Sequence, residues 1–290
     1  MTAEVKQEIE HTERAYAYYP GCSLHATARE YDASTRAVCQ KLGIELRELR
    51  DWICCGASSA HTTSHLLGLA LPAHTLKLAE ESRLPLAVPC AMCFSRLKFT
   101  LHELKDKNVM DLVSRAIGKS LDGSVVVEHL LQVLADESIS FPVERQLSGL
   151  KVACYYGCLL VRPQTVVDFD DEENPQMMDK LLVQLGAESI DWGLKTACCG
   201  ASMPFARPDI VKKLSSRILS HARESGADCI AVACPMCHSN LDMYQEGNES
   251  LPIFYFTQLI GLALGFSPRE MLLDKHVTDP LPLLNAKGLT

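Results

Sequence analysis

No stretch of this 290-residue chain is apolar for long enough to span a bilayer. The most apolar window, about Leu251 to Gly265, falls short of the roughly 20 residues a spanning helix needs, and it contains Pro252 and Gln258. It reads as a buried helix. Nor is there an excess of basic charge: 28 Lys and Arg stand against 36 Asp and Glu, a net charge of -8, so no basic stripe is offered and DNA and RNA are excluded as partners. Residues 1–14 are polar and acidic and lack the apolar core of an export signal. They are expected to form a mobile tail, and the chain is expected in the cytoplasm, with any membrane contact peripheral and made through partners.

Two motifs are also missing. No G-x-G-x-x-G turn follows Tyr19 or Tyr155, so no flavin or nicotinamide site of that kind is expected. No three cysteines crowd within about seven residues, as the runs that bind four-iron ferredoxin clusters do.

What the chain does have is 13 cysteines. In a reducing compartment a disulfide framework is not expected, and the odd number argues against full pairing, which leaves metal ligation or redox chemistry. The cysteines are ordered. Cys54-Cys55-Gly56 recurs 144 residues later as Cys198-Cys199-Gly200, and 34 residues after each double cysteine comes a Cys-x-x-Cys pair, Cys90/Cys93 and Cys234/Cys237. Cys22 and Cys158, each preceded by glycine, stand before the double cysteines. Each half thus offers five thiols.

The same order of elements recurs around both sets. Ala15 to Tyr19 and Lys151 to Tyr155 read as strands ending just before Cys22 and Cys158. Helices follow, with Tyr31, Thr35, Val38 and Leu42 on one face, or Met178, Leu181, Leu182 and Leu185, ended by Gly43 and Gly186. Strands are expected at Ile44 to Leu46 and Ser189 to Trp192, then at Leu86 to Val88 and Ile230 to Ala233. A helical pattern through Leu66, Leu67 and Leu71 is expected to break at Pro72 and resume near Leu76. In the second half Pro208 is expected to open a helix. Phe94 to Ala135 is expected to be largely helical, with Val126-Val127 and Leu130-Leu131 on one face, and Phe254 to Ala263 echoes Val125 to Ala135. The tail from Ser267 is expected to be irregular.

Strands alternating with helices imply parallel sheets, with ligands beyond the strands' carboxyl ends. The predicted fold class is therefore α/β: two duplicated, pseudo-twofold related domains, 15–145 and 146–290, each a small parallel sheet flanked by helices with a metal site at its strand ends.

The repeat also sorts the cysteines. Ten match cysteines in the other half; Cys39, Cys154 and Cys229 do not and read as small buried hydrophobes. A structural zinc ion takes four ligands, often from two Cys-x-x-Cys pairs, whereas each half has one pair together with adjacent cysteines whose side chains diverge from an extended backbone. An iron-sulfur cluster is several atoms wide and suits five thiols better; a zinc-stabilised binding module is the alternative.

The two Cys...Cys-Cys-Gly...Cys-x-x-Cys sets resemble the paired cysteine-rich "CCG" domains over nearly the whole chain. More narrowly, Tyr18-Tyr19-Pro20-Gly21-Cys22, Gly157-Cys158, Arg162-Pro163 and the chain length resemble the B subunit of heterodisulfide reductases. The resemblance implies two noncubane iron-sulfur clusters, one on Cys22, Cys54, Cys55, Cys90 and Cys93, the other on Cys158, Cys198, Cys199, Cys234 and Cys237. It implies a disulfide placed between them, one electron from each, and two thiols released after protonation. It also implies two electron-supplying partners: a ferredoxin-like C subunit, with a flavin-containing A subunit. An electron-relay role in a respiratory, quinone-linked dehydrogenase is the other reading within the family.

Outside the cysteines, His25, His61, His65 and His238 are candidate proton donors set against simple hydrogen-bonding roles. Arg162 and Lys195 are candidate anion-recognising residues set against structural ones. The acidic run Asp168 to Glu173 reads as a solvated loop leading into a helix.

Overall fold

The computed structural model describes residues 14–57, 59–201, 203–204, 206–245 and 250–290. The expected N-terminal tail falls outside them apart from Arg14, which opens the first strand.

Eight strands form two sheets of four. β1 (Arg14–Tyr18), β2 (Ile44–Glu48), β3 (Leu86–Val88) and β4 (Val127–His129) lie in the order β2-β1-β3-β4. β5 (Lys151–Tyr155), β6 (Glu188–Ser189), β7 (Cys229–Val232) and β8 (Ile253–Tyr255) repeat the plan as β6-β5-β7-β8. Every pairing is parallel. Parallel neighbours need crossovers, and the helices supply them. They cover the sheets, so β3, β7 and β8 are buried at every position and read as unbroken apolar runs. The chain runs outward from β1 to β2 and returns to lay β3 on the other side of β1. Strand order therefore reverses between β1 and β3, and again between β5 and β7, which is where open α/β sheets leave a crevice beyond their carboxyl ends.

The helix Arg29–Lys41 buries Tyr31, Thr35 and Val38, and Gly43 follows it at φ 70°. The helix Met177–Gln184 ends the same way at Gly186, φ 93°. A glycine there reaches the left-handed conformation without a Cβ penalty. Pro208 opens the helix Pro208–Glu224, where its missing N–H costs nothing.

Five expectations are corrected. The helix His65–Ser82 runs straight through Pro72. Proline has no N–H for the Gly68 carbonyl, and the Arg96 guanidinium supplies the missing donor from Nη2 at 2.8 Å. Phe94 to Ala135 is largely helical, in Ala91–Glu103, Lys107–Ile117 and Leu130–Leu134, but Val126-Val127 and Leu130-Leu131 do not share a helix face, because Val127 opens β4. The window Leu251 to Gly265 is likewise β8 followed by the helix Phe256–Ala263, so the echo between halves is a strand leading into a helix in both. Short apolar runs carry no period that separates strand from helix, and here pairing with a neighbouring strand decides. β6 is only two residues long, because Trp192 leaves the edge to bury its indole and donate Nε1 to the Cys154 carbonyl at 3.1 Å. The tail contains a 3₁₀ turn at Leu273–Lys275 and a helix at Leu281–Ala286, anchored by buried Leu273, Leu284 and Leu289.

The halves interlock reciprocally. Phe256–Ala263 lies on Arg29–Lys41, with the Tyr31 and Tyr255 rings stacked 4.1 Å apart and Ser34 Oγ 2.7 Å from Thr257 Oγ1. Leu130–Leu134 lies against Met177–Gln184. Buried residues of both halves join in one continuous core. The proposed division at 145/146 falls in the stretch 135–150, which carries neither helix nor strand.

Candidate metal centre

All ten repeated cysteines lie beyond the carboxyl ends of strands. Cys90 and Cys234 are the residues immediately before the helices Ala91–Glu103 and Pro235–Met243, so Cys93 and Cys237 fall one turn in, on the same side. At the double cysteines neighbouring residues differ in exposure: Cys54 and Cys198 are exposed, Cys55 and Cys199 buried.

The first five thiols, Cys22, Cys54, Cys55, Cys90 and Cys93, line one cavity of about 200 Å³, and its remaining wall includes Ala201, Pro204 and Met236 from the second half. Cys54 Sγ is 3.7 Å from Cys22 Sγ, and Cys55 Sγ is 3.3 Å from Cys93 Sγ. In the second set Cys199 Sγ is 3.6 Å from Cys237 Sγ, and Cys158 and Cys198 are close enough to shift each other's acidity. The two sets approach each other at Cys90 and Cys234, whose thiols shift each other's acidity across the halves.

This crowding splits the thiol acidities. Hydrogen bonding from Cys22 first, then from Cys55, pulls Cys54 far below the ordinary thiol range, and bonding from Cys158 brings Cys198 to about 6. The amides of Gly56 and Gly200 also point at these sulfurs, at 3.4 and 3.3 Å. Hydrogen bonds to their neighbours, with burial, push Cys22, Cys158, Cys93 and Cys237 up. Thiolates are the metal-binding form, and an array in which neighbours must share protons is one that a cation would relieve.

The donor set fits a group wider than one ion. Among the described residues no three His, Cys, Asp or Glu side chains converge closely enough to hold a single metal ion; the first five thiols are spread around a cavity instead. The glycines before Cys22 and Cys158 fit the same picture, since both have positive φ and a Cβ on Gly21 would lie 2.9 Å from Cys93 Sγ, one on Gly157 3.1 Å from Cys237 Sγ. Only glycine lets the backbone pass so close to the sulfurs. The Gly-Cys pairs carried that signal in the sequence. Asn240 carried none: it is buried and donates Nδ2 to the Cys199 carbonyl at 3.1 Å, with Cys199 Sγ 3.6 Å away.

Cys39, Cys154 and Cys229 are buried, and burial pushes all three thiols up, Cys39 to about 12. His238 is buried, stacked on Tyr255 and bonded through Nε2 to the Ile253 carbonyl, and burial holds it well below the ordinary histidine range. His25 is exposed, 3.1 Å from Glu48 and edge-on to Trp52; His65 lies 3.9 Å from Glu103, and His61 is exposed on the short helix Ala60–Thr63. Both cations have partners within the chain: Lys195 is buried against Asp179, and Arg162 is tied to Glu173 and Thr196. The acidic run is a self-bonded loop in which Asp170 accepts from the amides of Gln176 and Met177 at the start of Met177–Gln184.

Comparison with known proteins agrees with this architecture. The cysteine-rich domain family, CCG, matches twice, over residues 16–98 and 152–242. The chain belongs to that family. It is 35% identical to the 8-methylmenaquinol:fumarate reductase membrane anchor subunit of Wolinella succinogenes over 93% of this chain and 99% of that one. It is 29% identical to the B subunit of the ferredoxin/F(420)H(2)-dependent CoB-CoM heterodisulfide reductase of Methanosarcina acetivorans, over 92% and 94% of the two chains. A crystal structure of a hypothetical protein from Helicobacter pylori shares the fold, with a TM-score of 0.72 at 12% identity; it covers 91% of this chain, which spans about half the length of that one. No helix among the described residues is long and apolar enough to cross a membrane.

Proposed function

We propose that this chain is the electron-transfer subunit of a redox complex, that Cys22, Cys54, Cys55, Cys90 and Cys93 hold one noncubane iron-sulfur cluster, and that Cys158, Cys198, Cys199, Cys234 and Cys237 hold the other. The observation that carries the reading is the cavity lined by five thiols of one half and closed by the other half. When bound, the two clusters supply one electron each. Splitting a disulfide into two thiols takes two electrons and two protons, which would match two one-electron centres, one held by each set of five thiols. The relatives named as B subunits of heterodisulfide reductases support that reaction class. The chain's own residues exclude water with Met92, Met236 and Pro204 and deliver the sulfurs from rigid strand ends. The proposed electron suppliers are a ferredoxin-like protein and a flavin-containing protein, joined with this chain in a cytoplasmic or membrane-peripheral complex.

A second reading, a quinol-linked relay, is favoured by two observations: the 35% identical relative is named for a menaquinol reaction, and among the described residues no lysine or arginine lines the cavity. Anaerobically prepared protein tests both. Iron and acid-labile sulfide are expected together, reduced by about half in Cys55→Ser or Cys199→Ser and unchanged in Cys39→Ser, Cys154→Ser and Cys229→Ser. Zinc without sulfide overturns the proposal. A new paramagnetic signal on adding thiol to oxidised protein supports disulfide chemistry; silence with thiols, together with oxidation of a menaquinol analogue, favours the relay.

A further inference from the structure

We infer that His129 is a positioning residue that sets the spacing between the two cysteine groups. It closes β4 and is wholly buried. Its Nδ1 accepts the Leu131 amide at 3.1 Å, which leaves the ring proton on Nε2. Nε2 lies 2.8 Å from the Pro89 carbonyl and 3.2 Å from the Ala233 carbonyl. Pro89 immediately precedes Cys90 and Ala233 immediately precedes Cys234, one cysteine from each set. A single N–H therefore ties together two peptide units that each lead into a cysteine of a different set.

The ring cannot easily turn away. Phe94 from its own half and Phe169 from the other meet it edge-on, with centroids 5.7 and 5.9 Å distant. Tyr31 Oη donates to the same Pro89 carbonyl at 2.8 Å, so both lone pairs of that oxygen are used. The duplication did not produce this bridge twice. Tyr255, which ends β8 as His129 ends β4, stacks instead between Tyr31 and His238 at 4.1 and 4.3 Å.

The inference rests on the two-cluster reading, because magnetic and electronic coupling between two centres falls steeply with their separation. The test compares wild type with His129→Gln, which places an amide N–H near the Nε2 position, His129→Asn, which mimics only Nδ1, and His129→Phe, which keeps the ring contacts and donates nothing. Iron and sulfide content and the magnetic splitting in electron paramagnetic resonance spectra of the reduced protein are read together. Unchanged content is expected in all four, with wild-type splitting in the Gln variant and altered splitting in the Asn and Phe variants. A fully loaded Phe or Asn variant with wild-type splitting overturns the inference, as does a Gln variant altered as much as Phe. Should Phe fail to fold, the Gln and Asn pair decides. Wild type free of iron and sulfide would sink the two-cluster reading instead. In that case the rate at which diamide links Cys90 to Cys234, mapped by mass spectrometry, judges the spacing: at least tenfold slower in Asn than in Gln is expected, and equal rates overturn the role of His129.

Discussion

Lys195 Nζ lies 2.9 Å from Asp179 Oδ1, with both side chains nearly closed off from water. Asp179 also accepts from Tyr156 Oη and Ser189 Oγ, each at 2.6 Å, and Lys195 donates to the Pro175 carbonyl at 3.1 Å. This lysine holds the loop after Pro175 to the second sheet. Lys195→Met strands a buried carboxylate and is expected to cost about 3–5 kcal/mol in urea unfolding, with most of the loss recovered in Lys195→Met/Asp179→Leu. A role in anion recognition would instead leave stability intact and raise KM.

Gly21 and Gly157 make a matched pair of predictions. Alanine at either position meets left-handed strain of about 1–2 kcal/mol and a sulfur at 2.9 or 3.1 Å. Gly21→Ala is expected to lower iron bound by the first set and Gly157→Ala by the second, each removing about half of the total in metal analysis. Equal loss from both sets in a single variant would show general unfolding instead.

The bond from Arg96 to the Gly68 carbonyl exists because Pro72 cannot supply one. Arg96→Ala is expected to cost about 1–3 kcal/mol by leaving that carbonyl unpartnered. Pro72→Ala restores the helical donor, so the cost of Arg96→Ala should shrink in that background. A double-mutant cycle by denaturant unfolding reads the difference, and additive costs would refute the coupling.

His129 gives stability a pH dependence of definite sign. Burial lowers its pKa to about 4, against 6.5 in an unfolded chain. Between those values the unfolded state binds more protons, so the contribution is complete above about pH 6.5 and is lost as pH falls toward 4, by about 3 kcal/mol in all. Subtracting the pH profile of His129→Gln from that of wild type should leave this loss, since the similarly depressed His238 is present in both.

Much of the site was legible in the sequence because its signal is spacing. Two identical Cys-Cys-Gly motifs with equal distances to Cys-x-x-Cys survive any uncertainty about helix ends. Strands ahead of each motif followed from apolar runs bounded by turns. β4 and β8 were not legible, since three-residue strands next to helices have no periodicity of their own. The partners of Lys195 and Arg162 were not legible, because a cation near a motif looks the same in sequence whether its partner is a ligand or a carboxylate nearby in space.

The sequence by itself determined that this chain is a duplication, which ten of its cysteines belong to it, and that strands and helices alternate around them. Those are properties of local order and of repeats, which composition and spacing carry in full. Only the tertiary structure decided that the Cys90 and Cys234 thiols influence each other across the halves, that Arg96 partners the carbonyl Pro72 leaves open, and that His129 bridges the halves. Each of these joins residues 28 to 144 positions apart, and a carbonyl's or thiol's partner at such separations is chosen by how whole layers pack together.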